Sequence, residues 1–258
     1  MSKSLPALIA LALCVGCESV RGTEPSNVTA SQVVASGYWF RGSPKSLEPV
    51  TQGDVTVHSP LAWGGTLSLI TWYSLQLTNR TGDAVVPDGN GGQATEIDIA
   101  FHYTDRIGWA DVSAGAVGYA FPNVGPSTKE FYLGAAADAL GLYHALTLYY
   151  DSDLLDDYYL SYQAAHGFEL GETWSLTLSA LLGYMSDGQA RFYFGADEHG
   201  FSDLSLSADL SYHLDENTSA FLKVSGVTVP NDDLSGALDA AGIDNRGVWV
   251  TLGAAWGL

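Results

Sequence analysis

Basic side chains are scarce in this chain: ten Lys and Arg stand among 258 residues, against 29 Asp and Glu. That balance excludes nucleic acid as a partner, because phosphate backbones are held by clustered Lys and Arg. Cysteine is scarcer still. The only two, Cys14 and Cys17, lie near the N-terminus, so the body of the chain has no disulfide framework. After the first fifteen residues no apolar run is long enough for a transmembrane helix, and helical periodicity is missing over any comparable length. Charged residues make up 15% of the chain, below the roughly 25% of ordinary globular proteins.

What remains is period-2 alternation. In Asp203 to Leu214, the residues Leu204, Leu206, Ala208, Leu210, Tyr212 and Leu214 alternate with Asp203, Ser205, Ser207, Asp209, Ser211 and His213. Glu96 to Thr104 and Trp174 to Tyr184 repeat the pattern. Segments of about ten residues with one apolar and one polar face have the length and pattern that a tilted membrane strand requires. About twelve candidate strands start near residues 31, 52, 66, 95, 109, 129, 142, 157, 174, 203, 218 and 246. The first and fifth alternate too weakly for their faces to be assigned. An all-β fold follows: a transmembrane antiparallel up-and-down β-barrel of about twelve strands.

The connections support the same topology. Tight turns at Ala62 to Gly65, Asp105 to Gly108, Leu140 to Gly141, Gly171 to Thr173 and Asp215 to Asn217 alternate with mostly longer loops, among them Gly42 to Val50, Ser186 to Phe201 and Pro230 to Asn245. Short periplasmic turns and long external loops produce that alternation, and an even strand count places both termini on the periplasmic side. Aromatic residues divide between the two ends, as interfacial belts require. Trp39, Phe40, Trp72, Tyr73, Tyr119, Phe121, Phe131, Tyr150, Tyr158 and Tyr184 fall near the long loops. Trp63, Tyr103, Trp109, Tyr143, Phe168, Trp174, Tyr212 and Trp256 fall near the short turns.

The termini carry addressing signals. Residues 1–16 read as a signal peptide, with Lys3 ahead of an apolar run from Leu5 to Val15 that is too short to cross a bilayer as a helix. Leu13-Cys14-Val15-Gly16-Cys17 resembles a bacterial lipobox with Cys17 as the lipidated residue; the other reading leaves Cys17 an unmodified thiol. Residues 17–29 read as a periplasmic linker and 30–258 as the outer-membrane barrel. At the other end Val248, Val250, Leu252, Ala254, Trp256 and Leu258 share one face of a strand that runs to the last residue. Within it Thr251, Gly253, Trp256 and Leu258 resemble the C-terminal signal read by the bacterial barrel-assembly machinery.

Ser36-Gly37-Tyr38-Trp39-Phe40-Arg41-Gly42-Ser43, with Gln52-Gly53 opening the next strand, resembles the start of the TorF-type porins of proteobacteria. Glu96-Ile97-Asp98-Ile99 followed by Tyr103 is similar to that family's acidic-apolar fourth strand, and the likeness continues through Gly118-Tyr119 and the Tyr158 to Glu172 hairpin. The resemblance implies an outer-membrane pore of undefined substrate and brings no catalytic or ligand residues.

If the apolar faces meet lipid, the lumen receives Asp54, His58, Glu96, Asp98, His102, Asp138, Asp203, Asp209 and His213, with Lys223 as the basic strand residue placed inside. Too few bases are available to pair these acids, so the expectation is a hydrated lumen in which they need no partner. An acid-lined pore concentrates cations. The expected function is a passive porin-like channel for small solutes, preferring cations, with outer-membrane lipids, lipopolysaccharide and the barrel-assembly machinery as partners. A competing structural reading folds Arg41, Arg191 or Arg246 inward to neutralise the acids. The alternative function is an adhesion or envelope-structural barrel with no open pore.

Neither an enzyme nor a cofactor is expected. None of the six His has Ser two positions on, the spacing typical of outer-membrane phospholipases. Four acidic loop clusters, Asp83 with Asp88, Asp151 to Asp157, Asp197-Glu198-His199 and Asp232-Asp233, lack EF-hand spacing and read as solvated loops.

Overall fold

The computed structural model describes residues 27–79, 90–123 and 125–258. The signal peptide, Cys17, most of the linker and the Asp83 and Asp88 cluster lie outside the described residues. Twelve strands close into an antiparallel barrel: β1 (Val28–Ala35), β4 (Val50–Pro60), β5 (Thr66–Gln76), β6 (Ala94–Ile107), β7 (Ala110–Ala120), β8 (Thr128–Ala139), β9 (Leu142–Asp151), β10 (Asp157–Glu169), β11 (Trp174–Met185), β12 (Gly200–His213), β13 (Thr218–Thr228) and β14 (Arg246–Gly257). Each starts within three residues of its expected position. The first begins at Val28, so two of the residues assigned to the linker belong to the barrel.

Closure comes from β1, which pairs with β4 on one side and β14 on the other. Every strand then has two neighbours and no edge is left unpaired. The C-terminal strand is therefore a structural necessity, and Leu258 donates its N–H to Val28 O at 2.8 Å, at the start of β1. The start of β1 and the C-terminus stand at the short-turn end.

The outer surface carries Val55, Ile97, Ile99, Phe101, Leu133, Leu206 and Leu252, all exposed. A contiguous apolar band of this extent is not sustained in water, and it is the surface a bilayer covers. The two strands whose faces were unassigned resolve here. In β1, Ser31, Val33 and Ala35 are buried against the interior while Val34 is exposed; in β7, Ser113, Val117 and Tyr119 are buried.

Three elements between strands were not expected. The connection from β1 to β4 is a small hairpin, β2 (Tyr38–Phe40) and β3 (Ser43–Ser46), rather than an external loop. Arg41 and Gly42 form its turn with φ of 52° and 80°. Two short helices sit in the last two long loops, α1 (Asp187–Phe194) and α2 (Asp232–Ala240). Asn231 caps α2, its side-chain oxygen accepting from the N–H groups of Asp233 and Leu234 at 2.9 and 3.0 Å. The apolar sides of both helices, Ala190, Tyr193 and Phe194 in α1 and Leu234 and Leu238 in α2, are buried.

Candidate functional site: the closed mouth and the polar half of the lumen

The β2–β3 hairpin folds into the barrel and reaches the wall opposite its own strands. Gly42, at its tip, lies so close to β12 that a Cβ there would stand 2.2 Å from Ser202 O. Only glycine fits, for the contact and for the positive φ alike. At the hairpin's base Trp39 lies over Gly247 of β14, where a Cβ would come within 2.4 Å of the indole.

Arg41 is the hairpin's anchor. Its Nη1 and Nη2 each donate to one oxygen of Glu130 on β8 at 2.6 Å, and Nη1 also donates to Gln189 Oε1 of α1 at 3.2 Å. The guanidinium lies 4.3 Å from the ring centre of Tyr159, 5.0 Å from Tyr149 and 4.8 Å from Phe40. Both partners of the ion pair are almost fully buried, at 3% and 2% side-chain exposure. A planar guanidinium suits this site because its fork matches the carboxylate while its faces take the rings. Tyr119 completes Glu130, donating to Oε2 at 2.9 Å.

Around this pair the long-loop end of the lumen is a packed core. Tyr38, Phe40, Trp72, Tyr119, Tyr149, Tyr159 and Met185 from hairpin and wall meet Tyr193, Leu234 and Leu238 from the helices. Tyr38 stacks obliquely on Trp72 at 5.7 Å, and Tyr149 on Tyr159 at 6.0 Å. Lys45 of β3 sits 4.2 Å above the Tyr193 ring, and burial among aromatic neighbours pushes the Tyr193 hydroxyl well above its ordinary pKa.

Several sequence expectations are corrected here. Phe40, Trp72 and Tyr119 do not join an interfacial belt; they face inward and are buried. Adjacent residues on a strand point to opposite faces, so Trp72 and Tyr73 could not both meet lipid. Two of the acids expected to stand unpaired in a hydrated lumen are partnered instead. Glu96 and Asp203 are buried, Glu96 bonded by the Tyr38 hydroxyl and Asp203 by Ser202 Oγ at 2.6 Å and Tyr159 OH at 3.2 Å. The bases came from a loop, Arg41 and Lys45, as the competing reading had it for Arg41. Arg191 and Arg246 stay exposed, with Arg191 paired to Asp197 outside.

The other half of the lumen differs. Toward the short turns the inner wall carries Thr147, Gln163, Ser175, Ser179, Ser205, Ser207 and Asp209, all half-buried, with Thr177 exposed. Asp98 faces inward beside Trp72 and Tyr119, buried and accepting no hydrogen bond among the described residues, and Asp54, His58, His102, Asp138, Asp209, His213 and Lys223 face inward as well. Asp54 accepts from Ser31, and His58 Nδ1 lies 2.9 Å from Ser68 Oγ. His102 Nδ1 meets Tyr132 OH at 2.7 Å, and His213 Nε2 meets Ser175 Oγ at 3.1 Å. Asp138 is exposed at the short-turn rim, and Lys223 stands opposite Asp209 in the register of β13 and β12. His144 and His166 face outward at the same end. No group of three or more His, Cys, Asp or Glu among the described residues could hold a metal ion.

The acidic loop clusters serve their own loops. Asp151 is buried and accepts from Thr128 and from the N–H groups of residues 153, 154 and 155. Asp187 meets His199 at 2.8 Å, and Asp232 and Asp233 occupy the first turn of α2.

No family model and no curated protein matches the sequence. Among solved structures the chain is similar to the NanC porin, at 11% identity and a TM-score of 0.52 over 90% of this chain and all of that one. LpxR from Salmonella typhimurium is matched at 11% identity and 0.50 over 89% of this chain and all of that one. The KdgM porin in complex with oligogalacturonate scores 0.47 at 12% identity, covering 90% of this chain and 99% of that one. At these identities the likeness establishes a porin-like barrel fold and leaves the activity open.

Proposed function

We propose that the protein is an outer-membrane porin-like channel, of the TorF type its sequence resembles, whose mouth is closed by its own first loop. One observation carries this reading: the barrel wall itself leaves a polar, partly exposed interior along its short-turn half, and the obstruction is a hairpin held across the lumen through Arg41. The closure is thus an insert, and conduction requires the hairpin to leave Glu130. The inner wall facing solutes is polar and acidic, so cations are the preferred solutes. The short-turn end with both termini faces the periplasm. The outer surface meets outer-membrane lipid and, at the long loops, lipopolysaccharide, and the barrel-assembly machinery inserts the chain through its terminal strand, with Thr251, Gly253, Trp256 and Leu258 as the signal. Cys17 is the lipid anchor.

The aromatic core at the mouth supports a second reading, an envelope-structural barrel that never opens. Planar-bilayer recording separates the two. Protein whose folding is verified by heat-modifiable gel migration is expected to conduct, with a reversal potential on the cation side under a KCl gradient. Silence from folded protein favours the scaffold.

A further inference from the structure

The place that Arg41 occupies is built mainly by the barrel wall. Glu130 on β8 takes both Nη1 and Nη2 at 2.6 Å, and the rings of Tyr149 on β9 and Tyr159 on β10 stand 5.0 and 4.3 Å from the guanidinium carbon. Among the described residues that hold the guanidinium, Phe40 belongs to the hairpin itself and Gln189 to α1. The wall residues also hold one another. Tyr119 OH donates to Glu130 Oε2 at 2.9 Å, the Tyr149 and Tyr159 rings meet at 6.0 Å, and Tyr159 OH donates to Asp203 at 3.2 Å. A hairpin that withdraws therefore leaves a shaped place behind it: a carboxylate open to a bidentate donor, beside two aromatic faces, in the volume that the Arg41 side chain had filled.

That place is unfavourable when vacant. Glu130 is 2% exposed in its side chain, and a buried carboxylate that loses its counter-charge is strongly destabilising. The insert is also incompletely satisfied, for Ser43 Oγ on the hairpin and Gln189 Nε2 on α1 are buried with no hydrogen-bond partner. A demanding wall site is thus closed by an imperfectly bonded plug.

We propose that the vacated Arg41 site binds a guanidinium-bearing solute, and that this solute opens the channel by taking Glu130 from the hairpin. The chemistry selects the class. A planar guanidinium presents two parallel N–H donors to the carboxylate and its faces to the rings, whereas an ammonium is a compact, strongly hydrated charge that does neither. Glu96, Asp98 and Asp203 are buried at the same end and disfavour a further negative charge, so the solute is a guanidinium compound without a carboxylate. It shifts the hairpin only by its preference for the open state, and the tethered Arg41 competes at an effective concentration on the order of millimolar. The opening rests on the channel reading; the binding does not.

Two measurements on the full-length protein keep these apart. The first is thermal unfolding of Arg41→Ala in detergent with millimolar ethylguanidinium chloride, which restores the atoms that the substitution removes, or ethylammonium chloride at equal ionic strength. A ligand of the folded state raises its melting temperature, so ethylguanidinium is expected to raise that of Arg41→Ala by several degrees and ethylammonium by much less. Arg41→Ala combined with Glu130→Gln is expected to respond to neither. Should Arg41→Ala fail to fold unaided, the yield of heat-modifiable barrel on refolding with each cation reads the same preference. Equal responses to the two cations, or none, overturn the site. The second is planar-bilayer recording of the wild type with agmatine, a guanidinium amine without a carboxylate, against the diamine putrescine at equal ionic strength. Agmatine on the long-loop side is expected to lengthen the openings severalfold, and putrescine to leave them unchanged. A conducting wild type that agmatine leaves unchanged or blocks, or that putrescine opens equally, overturns the opening. A channel silent with and without agmatine overturns it together with the channel reading, while the melting comparison still decides whether the guanidinium binds.

Discussion

On β10, Tyr159 and Ser161 are successive residues of the inner face, and the boundary between two kinds of interior passes near them. Above it, toward the long loops, tyrosines, Trp72 and Met185 pack on a hairpin and two helices that other parts of the chain supply. Below it, serines, threonines, histidines and Asp209 face a space that no loop enters among the described residues. The strands and their pairing run on across the boundary, with register shifts in β11–β12 at Gly183/Tyr184 and in β5–β6 at Ser74/Leu75. The difference lies in what the loops insert and in the aromatic side chains that the wall turns toward them, and it shows that a barrel of this size can be closed at one end while its strand pairing stays unbroken.

That contrast can be broken, and the ion pair at the closed end should give the biggest effect. Arg41→Ala leaves Glu130 buried without its counter-charge, and removing one partner of such a pair costs about 3–5 kcal/mol; urea unfolding in micelles is expected to show a loss of that order, whereas the exposed Arg191→Ala shows none. The exterior offers the next test. Leu133→Arg, on an exposed outward position near the middle of β8, is expected to cost about 2–4 kcal/mol when folding is measured in bilayers, the usual cost of a basic residue near the midplane. Gly247→Ala forces Trp39 from its place, since the new Cβ would fall 2.4 Å from the indole. Overpacking of this kind costs about 1–3 kcal/mol, and a shift in tryptophan fluorescence should accompany it. The smallest effect belongs to the polar half. Ser207→Ala removes a 2.6 Å hydrogen bond to Ser179 where solvent can replace it, and its stability should stay within about 0.5 kcal/mol of wild type.

Much of the wall was legible in the sequence. Alternation in Asp203 to Leu214 and the tight turns at Leu140-Gly141 and Asp215 to Asn217 are local signals, and they locate strands because a strand's two faces differ in solvent. The inward faces of the acids and of Lys223 follow from the same rule. The insert is legible only as one of three arginines that could fold inward, because Arg41 finds its partner Glu130 eighty-nine residues away across the lumen, and no local pattern encodes such a pairing. The inner aromatics were misread for a related reason. Distance from the strand ends puts Trp72 and Tyr119 where belts and plugged mouths both have aromatics, whereas period-2 alternation turns them inward. Asp98 shares its alternation with the other inward acids, and its lack of a donor depends on the tertiary packing around it.

Closure of the mouth by the hairpin is tested most directly by conductance. Replacing residues 37–47 by a short Gly-Ser linker removes β2, β3 and Arg41 while leaving the paired parts of β1 and β4 intact. Single-channel recordings are expected to show a steady conductance severalfold larger than that of the wild type, whose openings should be smaller or intermittent. Equal conductance from the two proteins, with both shown to be folded, would contradict closure by the hairpin.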